Sequence, residues 1–69
     1  MKFDTQLFAK YLRVKAADLN VTYTDAAKEI GISKATFSRA ANGAFLPDIE
    51  TFAKCCHWLK APMMLFFNQ

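Results

Sequence analysis

The sequence predicts an all-α fold, a compact domain of five helices. Apolar residues recur at helical spacing in successive segments, with Phe3, Leu7, Phe8, Tyr11 and Leu12 forming the first stripe. Asp, Thr and Ser stand where helix N-termini need side-chain acceptors, and Gly or Asn stands where helices stop. No segment shows strand alternation, and there is no repeat, linker or low-complexity stretch.

The first helix is expected over residues 4 to about 17, with Asp4 or Thr5 as its cap. Lys10, Arg13 and Lys15 fall largely off its apolar stripe. Asn20 suits the left-handed turn that follows, and Leu19 and Val21 are expected to plug this loop into the core. Thr22 caps the second helix, with Asp25 at the acidic position of a capping box. Ala26, Ala27 and Ile30 face inward, and Gly31 ends the helix. Ile32 anchors the turn.

Ser33 caps the third helix, Lys34 to Ala41, whose inward residues are Phe37 and Ala40. Ala35, Thr36, Ser38 and Arg39 form its outer face, and Asn42-Gly43 ends it. Asp48 caps a fourth helix, Ile49 to Leu59, with Ile49, Phe52, Ala53, Cys56 and Leu59 in the core. Pro62 opens a fifth short helix reaching Phe67.

Composition narrows the function. With 69 residues the chain makes one small domain, and its 54% hydrophobic content argues against disorder. The net charge is +3, and its placement says more than the total. Between Ile30 and Leu46 there is no Asp or Glu, while Lys34 and Arg39 are present. A local positive field of this kind is what phosphate contact requires.

The adjacent cysteines Cys55 and Cys56 point about 100° apart on a helix and are poor disulfide partners, which fits a reducing cytosol. Cys55-Cys56-His57 also fails as a metal site, because consecutive helical residues do not converge on one ion. Cys56 reads as a small buried hydrophobe, Cys55 as a partly exposed thiol and His57 as a surface residue. No cofactor or catalytic motif is expected. The N-terminus lacks the apolar run of a signal peptide, and the stretch from Ala61 to Phe67 is too short to span a membrane.

The segment Thr22 to Gly43 supplies the parts of a helix-turn-helix in order: a cap, small contact residues, a glycine turn, an inward anchor, a second cap and a short basic helix. Such a helix is built to enter a DNA major groove. From Val21 to Leu59 the chain resembles the Cro/repressor-type helix-turn-helix family, the XRE-like, lambda repressor-like group. The resemblance rests on Thr22, Ala27, Gly31-Ile32-Ser33, Thr36-Phe37-Ser38-Arg39, Asn42-Gly43 and Pro47-Asp48-Ile49-Glu50-Thr51.

That resemblance implies a transcriptional regulator binding double-stranded operator DNA as a homodimer, in the cytoplasm and at the nucleoid of a bacterial or phage-infected cell. It maps base reading onto Lys34, Ala35, Ser38 and Arg39. Arg39 suits a guanine and Ala35 a thymine methyl. Phosphate contact falls to Thr22, Tyr23, Ser33, Thr36 and Asn42.

The loop that is often basic in the family is Ala44-Phe45-Leu46 here, which points to a protein partner at Phe45 and Leu46. A protein-interaction module on the same scaffold is therefore the alternative expectation. The aromatic and Met-rich tail supplies the expected dimer interface: Trp58, Met63, Met64, Phe66 and Phe67.

Overall fold

The polypeptide caps its helices with its own side chains, and those caps set the architecture. The computed structural model describes residues 1–44 and 46–68. It is a small, mostly helical all-α fold of four α-helices: α1 (Thr5–Leu19), α2 (Tyr23–Ile30), α3 (Lys34–Ala41) and α4 (Ile49–Leu59). A short 3-10 turn, Met63–Phe66, follows α4. Two two-residue strands, β1 (Lys2–Phe3) and β2 (Phe67–Asn68), pair antiparallel and bring the described ends together.

Asp4 caps α1, its carboxylate accepting from the Leu7 N–H at 2.9 Å. The Asp4 N–H itself donates to the Phe66 carbonyl at 2.6 Å, tying the start of α1 to the tail. The helix ends on Asn20, whose left-handed backbone (φ 57°) receives the expected helix stop. Thr22 caps α2 by accepting from the Asp25 N–H at 3.1 Å. Gly31, at φ 94°, ends α2 in a conformation that costs a side-chain-bearing residue energy. Ser33 caps α3 through the Thr36 N–H at 3.1 Å. Asp48 stands at the N-cap of α4 without a cap bond to a first-turn N–H, and a hydrogen bond from the Thr51 side chain holds its carboxyl below the ordinary 3.8.

One core joins all four helices. Phe8, Leu12, Phe37, Cys55 and Phe66 are its largest fully buried side chains. Ala26, Ala27, Ala40 and Ala41 are also buried, so helix backbones approach closely where α2 and α3 meet. Around Phe8 the rings of Phe3, Phe52 and Phe66 pack edge-on with centroids 5.2–5.4 Å away from a neighbouring ring. Such pairs add about 0.5–1.5 kcal/mol each beyond area burial.

Several expectations need correction. The fifth helix is a single 3-10 turn, and Phe67 leaves it to join β2, because its backbone bonds to the N-terminus instead of continuing the turn. Helix α1 runs two residues past its expected end, leaving Leu19 44% exposed, while Val21 packs on the core. Tyr11 is exposed at the stripe's margin, its ring edge-on to Phe66. On α4 the buried residues are Phe52, Cys55 and Cys56, so the inward face is rotated towards Cys55. Ile49 is 79% exposed and Ala53 faces outward, because the rotation towards Cys55 leaves both off the buried side. Phe66, expected at a dimer interface, is completely buried against Phe8 and Phe52 and is withdrawn from any surface.

Candidate nucleic-acid interface

Helix α3 has two faces that its spacing separates cleanly. Phe37, Ala40 and Ala41 are buried, with α3 packed mainly on α1 and α2. Lys34, Ala35, Ser38 and Arg39 then share an arc of about 140° on the other side. Lys34, Ala35 and Arg39 are exposed and Ser38 is half-buried. The structure thus brings the four expected base-reading residues onto one face of one short helix.

The N-terminal end of α3 is the more electropositive of the two helix starts in this unit. Its first turn carries no acid and begins with Lys34, whereas α2 carries Asp25 in its first turn. Free N–H groups and the helix dipole favour an anion at such an end. At that end the Ser33 hydroxyl donates to the Thr36 hydroxyl at 2.8 Å while accepting from the Thr36 N–H. Both side chains sit at the surface beside Lys34, Ser33 exposed and Thr36 half-buried.

The remaining expected phosphate residues are not gathered at this end, since Asn42 stands at the opposite end of α3. Thr22 and Asn42 are exposed. Tyr23 is half-buried, its ring edge-on to Phe37 at 4.9 Å, so it braces α3 while keeping part of its surface outside. Asn42 closes α3, its backbone N–H donating to Ser38 at 3.1 Å.

Three side chains that position α3 carry no local sequence signal. Arg13 on α1 donates from Nη1 to the Ala41 carbonyl at 2.6 Å, satisfying an end carbonyl of α3. Lys54 on α4 reaches the Gly31 carbonyl at 3.4 Å and lies 3.7 Å from Glu50, linking α4 to the turn. Trp58 donates from Nε1 to Glu29 at 3.0 Å and sets its ring edge-on to Phe37. Partners 23 to 29 residues apart give no periodic pattern that a sequence can display.

Away from α3, Cys55 and Cys56 are both buried free thiols, which corrects the expected exposure of Cys55. Burial pushes the Cys55 thiol up to about 12 and raises that of Cys56. His57 is exposed, and among the described residues no three His, Cys, Asp or Glu side chains gather as metal ligands. No described helix is long and apolar enough to cross a membrane.

After α3, Leu46 is 67% exposed. It lines a groove of about 280 Å³ with Phe3, Pro47, Ile49, Phe52 and Phe67. The companion expectation at Phe45 lies outside the described residues. In the tail Met63 and Met64 are exposed, whereas Trp58 and Phe67 are half-buried against the core. No family model matches the chain, and neither does any curated protein or solved structure compared with it.

Proposed function

We propose that the chain is a sequence-specific DNA-binding regulator, a small repressor of the Cro/repressor type, with α2, the Gly31–Ser33 turn and α3 as its helix-turn-helix. The observation that carries this reading is the acid-free outer face of α3, with Lys34, Ala35, Ser38 and Arg39 together and Phe37, Ala40 and Ala41 clamped on the other side. A groove-reading helix must be short, positive on its outer face and held in a fixed direction. Here α3 has eight residues, two cations and supports from three other helices.

In this reading Arg39 and Lys34 donate to base edges, Ala35 contacts a thymine methyl, and Ser38 supplies a hydroxyl. Thr22, Tyr23, Ser33, Thr36 and Asn42 hold the sugar-phosphate backbone. Two copies bind an inverted repeat, with their α3 helices in successive major grooves. Titrating a duplex at increasing salt tests the reading. Affinity should fall as salt rises, and Lys34→Ala should relax the preference at one base position in each half-site rather than weaken every duplex equally.

A second reading, a protein-interaction module on the same scaffold, is favoured by the exposed Leu46 and Ile49 around the small apolar groove. Binding there would depend little on salt. A complex that survives high salt and is lost in Leu46→Asp would support it over the DNA reading.

A further inference from the structure

The face of α1 that points away from the core carries Leu7, Tyr11 and Val14 interspersed with charged residues. Leu7, Tyr11 and Val14, with Leu59 from α4, line a groove of about 480 Å³. Lys10, Lys15 and Asp18 also line it, Lys15 on the flank of the helix next to Tyr11. Tyr11 is 38% and Val14 47% exposed. Leu7, Lys10, Tyr11, Val14 and Asp18 fall within an arc of about 100° on α1. This is a surface apart from the outer face of α3.

The order of charges on that arc is self-complementary. Lys10 and Asp18 each lie four residues from Val14, one on either side. If two copies of α1 cross antiparallel about a two-fold axis at Val14, Lys10 of each copy meets Asp18 of the other. Tyr11 and Val14 of both copies then lie between the two ion pairs. An isologous contact needs this property, because the same patch must serve as both partners. The exposed tail lacks it: Met63, Met64 and Leu65 occupy a four-residue turn with no charged residue in it.

We infer that α1 is a self-association surface, on which a second copy of this chain packs antiparallel about Val14, with two reciprocal Lys10–Asp18 pairs. The inference does not rest on DNA binding, and its test uses none. Reversing one charge converts both pairs to like charges, which repel across an interface. Reversing both restores two opposite pairs with their order exchanged.

Sedimentation equilibrium of the full chain, without DNA, reads the outcome. The wild-type chain should form dimers in a concentration-dependent way. Lys10→Asp and Asp18→Lys should each weaken dimerisation at least about tenfold. The double variant should recover most of the lost affinity. Val14→Lys should abolish the dimer by placing two cations at the axis. Helical circular dichroism should be unchanged in all four, since the altered side chains are exposed. A chain that is monomeric throughout would overturn the inference. So would a double variant as weak as the singles, or a dimer insensitive to these changes and dissociated by Met64→Lys.

Discussion

The Arg13 guanidinium donates to the Ala41 carbonyl at 2.6 Å, tying the middle of α1 to the last residue of α3. It places a fixed positive charge at the negative end of the α3 dipole and satisfies a carbonyl that no helical N–H can reach. The outer face of α3 is therefore aimed from behind by a residue that touches none of it. Arg13→Met should destabilise the fold by about 1–2 kcal/mol. Urea unfolding should show a lower midpoint with an unchanged slope.

The caps make a second test. Ser33 and Thr22 each accept one backbone N–H in the first turn of their helices. Replacing either by Ala should cost about 1 kcal/mol in thermal or urea unfolding. The two should differ in DNA binding. Ser33→Ala frays the start of α3 and should weaken all duplexes, whereas Thr22→Ala acts one helix away and should weaken them less.

Gly31 and Gly43 both have positive φ, 94° and 71°, but their surroundings differ. A Cβ at Gly31 meets no atom within 4 Å, so Gly31→Ala carries backbone strain alone, about 1–2 kcal/mol. A Cβ at Gly43 lies 2.5 Å from the Gln6 amide nitrogen. Because that amide is the far end of an exposed, flexible side chain that can swing aside, Gly43→Ala should cost little beyond the backbone strain it shares with Gly31→Ala. Adding Gln6→Ala should then change the cost of Gly43→Ala little, which a double-mutant cycle in urea will show.

Burial of Cys55 and Cys56 predicts both reactivity and pH dependence. The native protein should resist iodoacetamide at pH 8 and react only when unfolded, because the thiolate is the nucleophile. A thiol held protonated in the folded state binds more protons than the unfolded chain once the pH passes the ordinary value of 9.0. Stability from this source is complete below pH 9.0 and declines as the pH rises towards about 12. Cys55→Ala should flatten that decline in urea unfolding across the same range.

Much of the fold is legible in the sequence where the signal is local. Asp4, Thr22 and Ser33 cap helices because a short side-chain oxygen reaches an N–H two or three residues on, a relationship contained within four residues. Gly31 and Asn20 stop helices for an equally local reason. The phase of α4 is harder. Phe52 fits an inward stripe through Ala53 and Cys56 or one through Cys55 and Cys56, and only packing against the other helices selects the second. The two strands are too short to alternate, and Phe3 meets Phe67 from the far end of the chain.

The candidate site shows the same division. Lys34, Ala35, Ser38 and Arg39 share a face by helical spacing alone, so the sequence displays them. Arg13, Lys54 and Glu29, which support α3 and the turn before it, act across distances in sequence that have no period. Phe66 and Met64 look alike as apolar tail residues, yet one is wholly buried and the other 56% exposed. A 3-10 turn sends neighbouring side chains in different directions, and its docking on α1 and α4 decides which goes inward.

Selection of bound duplexes from a random pool tests most directly the proposed reading of DNA sequence by the outer face of α3. The expected result is an inverted-repeat consensus whose half-sites lie about one helical turn apart, with Arg39→Ala relaxing the preference at one base position in each half-site. A pool that shows no enrichment, or an Arg39→Ala profile weakened equally at every sequence, would contradict base reading by this face.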